Sequence, residues 1–276
     1  MRDMQWIYLD NNATTPPAPQ VARGVHEMHE QFWANPSSVH RFGQMARGRL
    51  ELARSEVARL INCRDRQLVF TSGGTESNHL ALRGVLGPKP STDGRAGGVL
   101  ITTAVEHSAI KEPADELGKL GVEVVRLPVD QDGRVEGEQL LEALDRHAAT
   151  EFPTLVSVQW ANNETGVIQP MAMLLEAVHK FRQSCPQRRV LFHSDAVQAV
   201  GKLVVDVQAL RVDLLSISAH KFHGPKGTGA LYIRRGVGLW PQLRGGPQER
   251  QRRGGTENTA GIVGMGMAAA LACDFL

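Results

Sequence analysis

Residues 212–234 read VDLLSISAHKFHGPKGTGALYIR. Two short apolar runs, VDLLSIS (212–218) and GALYIR (229–234), flank a polar, glycine-rich turn. Their length and branched side chains make both read as strands. The same pattern occurs upstream in QLVF (67–70), VLITT (99–103), VEVVRL (122–127), TLVSVQW (154–160) and VLFHS (190–194). Helical stripes lie between them. Ala46, Leu50, Ala53, Val57 and Leu60 step by four and three, as do Ile110, Ala114 and Leu117 before a terminating Gly121, and Leu174, Val178 and Phe181. Strands alternating with helices predict an α/β fold with a mainly parallel seven-stranded sheet covered on both faces. Segment 87–98 (GPKPSTDGRAGG) reads as a solvated connection, and 235–258 as irregular chain. A final helix is expected from Thr259 to Leu276, where the apolar pattern stops without an ending signal and suggests an incomplete chain.

Composition narrows the class. The chain has 276 residues, 42% hydrophobic and 22% charged, which supports a large core and excludes disorder. Lys and Arg number 31 against 29 Asp and Glu, so no basic field points to nucleic acid. No apolar stretch is long enough to span a bilayer, and the N-terminus has no secretory pattern. Cys63, Cys185 and Cys273 are odd in number and far apart, which argues against a disulfide framework or a zinc site and fits a reducing cytoplasm.

Polar residues gather where the strands end. TSGGTES (71–77) follows the first strand, Glu106-His107 the second, and Ala161-Asn162-Asn163-Glu164 the fourth. Asp195 closes the fifth, with Gln198 just after, and Ser218, His220 and Lys221 follow the sixth. In a parallel sheet these ends point one way, and open α/β sheets bind ligands beyond them. Gly73-Gly74 before a helix lets backbone N–H groups form an anion site, with Thr75 adding a hydroxyl. The competing reading is a plain turn capped by Thr75. Neither a Walker loop nor a dinucleotide fingerprint is present. Lys221, at a strand end, can lose its proton and form a Schiff base with an aldehyde, whereas Lys226 in GPKG reads as a surface turn lysine. Asp195 ends a very apolar strand and needs a partner, such as a protonated ring nitrogen; its competing reading is a helix cap near Ala196. His107 is either a helix-start residue or a flat, titratable ring.

These residues resemble a known family. NNATTP (11–16), NPSSVH (35–40), FTSGGTESN (70–78), EHSAI (106–110), ANNETG (161–166), HSDAVQAVGK (193–202), SAHKFHGPKGTGALYIR (218–234) and GGTEN (254–258) resemble the cysteine desulfurases, pyridoxal-phosphate enzymes of the class-V aminotransferase group. The resemblance implies the large domain of PLP fold type I, here residues 16–276 behind an N-terminal arm (1–15), with most of a C-terminal small domain missing. It implies that Lys221 carries the cofactor, Asp195 faces its pyridine nitrogen, Gln198 donates to its ring hydroxyl oxygen, and His107 stacks on it and moves protons. Gly74, Thr75, Ser218 and His220 would cradle the phosphate, and Asn163 would lie near substrate and cofactor oxygen. Thr256 would reach the phosphate of a neighbouring subunit in a homodimer. The implied reaction takes L-cysteine to L-alanine and passes sulfur to a protein thiol as a persulfide, for iron–sulfur cluster or other sulfur-cofactor assembly, with an acceptor or scaffold protein as partner. A selenocysteine lyase shares every motif, and a cofactor-binding fragment without turnover is the remaining alternative. The family's mobile Cys loop and carboxylate-clamping Arg have no match here. None of the three cysteines lies in a Ser/Gly-rich loop, so none is expected to accept sulfur.

Overall fold

The computed structural model describes residues 6–88 and 96–276. Residues 89–95 of the expected connection and 1–5 of the arm lie outside the described residues. All seven expected strands form: β1 (Leu68–Thr71), β2 (Val99–Thr103), β3 (Glu123–Leu127), β4 (Thr154–Gln159), β5 (Val190–Asp195), β6 (Leu214–Ser218) and β7 (Gly229–Ile233). They join one sheet in the order β1-β7-β6-β5-β4-β2-β3. β7 runs antiparallel to both neighbours, and the other pairings are parallel. The carboxyl ends of the other six strands therefore share one edge of the sheet.

The helices are α1 (Pro19–Gln31), α2 (Arg41–Leu60), α3 (Gly74–Leu86), α4 (Ser108–Lys119), α5 (Gly137–Arg146), α6 (Met171–Ser184), the single turn α7 (Val207–Leu210), the left-handed turn α8 (Gln248–Gln251) and α9 (Thr259–Phe275). Alternate strand residues face opposite ways and build two cores. Leu68, Phe70, Ile101, Val156, Phe192 and Ile217 pack with α2, α5, α6 and α9. Val69, Leu100, Leu155, Leu191, Leu214 and Leu231 pack with α3 and α4. α2 and α9 approach closely because position 266 is glycine; a Cβ there would lie 2.5 Å from Ala53 Cα.

Strand β6 starts two residues later than the sequence suggests. Asp213, just before it, keeps backbone bonds to both neighbours, its N–H donating to the Phe192 carbonyl (3.0 Å) and its carbonyl accepting from Arg234 N–H (2.8 Å), while its buried carboxylate accepts from Phe192 N–H (2.7 Å) and Arg234 Nε (2.7 Å) and pairs with Arg182. Edge strand β1 is also closed by side chains rather than by another strand. Glu249 accepts from Phe70 N–H (2.9 Å), and Arg54 donates to the Leu68 carbonyl (3.3 Å). The buried Arg54–Glu249 pair (2.6 Å) pins the left-handed turn of α8 beside that edge. No helix among the described residues is long and apolar enough to cross a membrane.

Candidate active site

The carboxyl edge of the sheet opens into a cavity of about 280 Å³. Gly74, Thr75, His107, Asn163, Asp195, Gln198, Ser218, His220 and Lys221 all line it. Nine of the ten residues singled out from sequence are thus brought together. Thr256, the tenth, lines a separate, smaller cavity with Ser72, Arg253 and Glu257.

Local folding explains each placement. Helix α3 starts at Gly74 and is preceded by Gly73 at φ 155°, with no side-chain cap. The Thr75 cap reading is therefore corrected: the backbone turn is made by glycine, and Thr75 stays free at the cavity wall. A Cβ at position 74 would come within 2.6 Å of Val197 Cγ2, which lines the same cavity. Glu76 fixes the loop by accepting from Ser72 N–H (2.8 Å) and Arg253 Nε (2.9 Å). His107 caps α4, its Nδ1 accepting from Ala109 N–H at 3.0 Å, and it also faces the cavity. The helix-start reading holds, and the ring also borders the cavity.

Asp195 is 3% exposed. Its Oδ1 accepts from Val197 N–H (3.1 Å) and its Oδ2 from Asn78 Nδ2 (2.7 Å). The bond from Val197 resembles a cap, but a turn follows rather than the helix suggested near Ala196. Burial pushes the carboxyl above its ordinary value, against those bonds and the charges of His107 and Lys221. Partial burial lowers the Lys221 amine, against the pull of Asp195 and Asp10. His220 is lowered by burial and by Lys221 and Lys226. Lys226 itself is exposed, yet it faces an adjoining cavity shared with Gly74, Thr75, Ser218 and His220.

Several participants were assigned no role from sequence. The arm folds back over the site: Thr15 N–H donates to the His220 carbonyl (2.9 Å), and the Asn12 and Ala13 carbonyls accept from Lys221 Nζ (2.5 and 2.9 Å). Asn78 is hidden mid-helix, and Gln159 at the end of an apolar strand. Gln159 Nε2 donates to Asn163 Oδ1 (3.3 Å), while its Oε1 is buried without a partner, as is Asn78 Oδ1. Glu106 is 2% exposed, and its Oε1 accepts from Gln159 N–H (2.9 Å) and Thr103 Oγ1 (2.8 Å). Burial raises it to about 8.

The class-V aminotransferase model matches residues 7–275. A relative named cysteine desulfurase IscS, from Dictyoglomus turgidum, is 45% identical over 266 residues, 96% of this chain and 64% of that protein. A cysteine desulfurase from Sinorhizobium fredii is 44% identical over 273 residues, 98% of this chain and 66% of that protein. Among solved structures, a NifS-like protein superposes with TM-score 0.88 at 38% identity, covering 98% of this chain and 70% of its own. SspA in complex with cysteine gives 0.85 at 33% identity, covering 95% and 72%. The chain spans about two thirds of the length of these curated relatives. With a match over nearly every residue, and with the sheet and carboxyl-edge cavity described above, the chain belongs to the aminotransferase class-V family.

Proposed function

We propose that this chain is the cofactor-binding part of a cytoplasmic, homodimeric, pyridoxal-phosphate-dependent cysteine desulfurase, with residues 16–276 as its large domain. The reaction joins L-cysteine and a protein thiol to give L-alanine and a protein persulfide, for iron–sulfur or other sulfur-cofactor assembly. The observation that carries this reading is one cavity holding a lowered lysine amine and a buried carboxylate with no cation in hydrogen-bond contact.

The residues fit the cofactor. Lys221 would hold its aldehyde carbon, Asp195 would face its ring nitrogen, and Gln198 its ring oxygen. Gly74, Thr75, Ser218 and His220 would hold its phosphate. Glycine at position 74 keeps clear the space a Cβ would fill within 2.6 Å of Val197 Cγ2, which leaves the loop's backbone open to a ligand in the cavity. When bound, the cofactor supplies an electron sink that lets an amino acid lose its α-proton.

The chain's own groups divide the remaining work. Asp195 compensates a cation on the ring that its burial would otherwise make costly. His107 Nδ1 already accepts from Ala109 N–H, so the neutral ring carries its proton on Nε2 and has no free lone pair. That favours Lys221 Nζ as the base for the α-proton, and His107 would offer its flat face to the cofactor ring. Asn163, held by Gln159 and by Asn12 Nδ2 on its carbonyl (3.2 Å), lines the cavity and would lie near the substrate. Borohydride reduction after cofactor addition, followed by peptide mapping, tests the assignment. Label is expected on Lys221 and is lost with the visible band in Lys221→Ala; label on Lys202 or Lys226 overturns it.

A further inference from the structure

Lys202 lies outside the cavity lining, yet it touches the cavity through one residue. Its Nζ donates to Gln198 Oε1 at 2.5 Å. The other end of that amide, Nε2, donates to the Asn12 carbonyl at 2.8 Å, and the same carbonyl accepts from Lys221 Nζ. A side-chain amide can be turned over, and its neighbours decide which way it points. Here they agree. A backbone carbonyl can only accept, and an ammonium can only donate. The reverse orientation would set oxygen against oxygen at Asn12 and N–H2 against ammonium at Lys202. Gln198 lines the cavity, so its second amide hydrogen is the donor left for a ligand.

We propose that Lys202 is a positioning residue that, by occupying Gln198 Oε1, holds the Gln198 amide with its N–H2 presented to the cofactor's ring oxygen. The inference rests on the proposed function for the identity of that oxygen. Without Lys202, only the Asn12 carbonyl orients the amide. That carbonyl is shared with Lys221 Nζ, so its hold on the amide is divided. The amide then samples rotamers in which no donor faces the ring.

A double-mutant cycle on pyridoxal-phosphate affinity tests this, using Lys202→Met, Lys202→Arg, Gln198→Ala and the Lys202→Met/Gln198→Ala double variant of the full chain. Lys202→Met is expected to weaken cofactor binding about tenfold and to shift the visible band as the ring oxygen loses its donor. Lys202→Arg keeps a cationic donor and should stay within about threefold of wild type. The double variant should bind like Gln198→Ala alone, within about twofold, because Lys202 acts through that side chain. Equal weakening by Lys202→Met in both backgrounds, or none in either, overturns the inference. Lys202 is exposed, so thermal midpoints should match among the Lys202 variants; a drop in Lys202→Met that Lys202→Arg shares would mark a structural role and also overturn it. Wild-type protein that takes up no cofactor overturns the reading of the site and this inference with it.

Discussion

Asp195 is where stability and the proposed chemistry pull apart. Its carboxyl binds a proton more tightly in the fold than in the unfolded chain, because burial penalises the ion. At neutral pH the ionised form therefore costs folding free energy. Asp195→Asn removes the charge and keeps the shape. The new amide oxygen retains the bond from Val197 N–H, and Asn78 can turn its unpartnered Oδ1 toward the new N–H2. The variant is expected to be more stable without cofactor by on the order of 1 kcal/mol, read in urea titrations. It should bind pyridoxal phosphate about a hundredfold more weakly, read by absorbance, because a charge-assisted bond to the ring nitrogen is lost. Wild-type affinity in Asp195→Asn would mean that the carboxylate serves only the turn after β5.

On the scale of elements, the central strands carry chemistry in rows. On the face covered by α3, residues two apart along β4 and β5 pair as Leu155 with Leu191, Ser157 with His193, and Gln159 with Asp195. In the outer row Asp195 was legible, because a carboxylate closing an apolar run stands out; Gln159, followed by the apolar Trp160, was not. Nor was the middle row. Ser157 Oγ meets His193 Nδ1 at 2.8 Å and Ser216 Oγ meets His193 Nε2 at 3.0 Å only because three strands take one register, which no single strand encodes. The seven strands and the Gly-Gly loop were readable from local pattern; the arm's carbonyls on Lys221 join residues some 200 positions apart and left no local trace. Burial drives His193 down to about 3 from an ordinary 6.5, so its stability contribution is complete at neutral pH and is lost as pH falls through 6.5 toward 3. Glu106 moves the other way, from 4.5 to about 8, so stability declines as pH rises across that range. Urea midpoints measured from pH 4 to 9 should show a shallower acid limb in His193→Gln and a shallower alkaline limb in Glu106→Gln. Unchanged limbs would assign the pH dependence to other groups.

For the whole molecule, the cysteines decide what the 276-residue chain can do. Cys63 and Cys185 precede the amino ends of β1 and β5, the opposite edge from the cavity, and Cys273 lies on α9. Burial, helped by Asp65, pushes the Cys63 thiol up to about 12, and burial raises Cys273 as well. Sulfur transfer needs a thiolate at the substrate, and a misplaced group costs orders of magnitude in rate. The chain should therefore take up cofactor and release little alanine or sulfide from cysteine, with no effect of Cys63→Ser, Cys185→Ser or Cys273→Ser. Robust turnover abolished by one of them would overturn this. Thr256 lies outside the cavity of its own subunit, which suits service to a neighbour's phosphate. Cofactor affinity should then rise with protein concentration, and Thr256→Ala should weaken it; a monomer with tight, concentration-independent binding would contradict the shared site.

Strand β1 pairs in the sheet with β7 alone, across some 160 residues of chain, and Gly229 packs against Gly73 so closely that a Cβ there would lie 2.6 Å from the loop's backbone. During synthesis the first third of the protein thus emerges with a strand that has no mate. β4 and β5, neighbours in space and nearly so in sequence, close a far shorter loop. The order of assembly follows: the parallel centre sets first, and the Gly-Gly turn after β1 takes shape last, once residues 229–233 arrive to zip it in. Pulsed hydrogen exchange during refolding should protect the amides of 154–159 and 190–195 ahead of 68–71, with 68–71 and 229–233 gaining protection together.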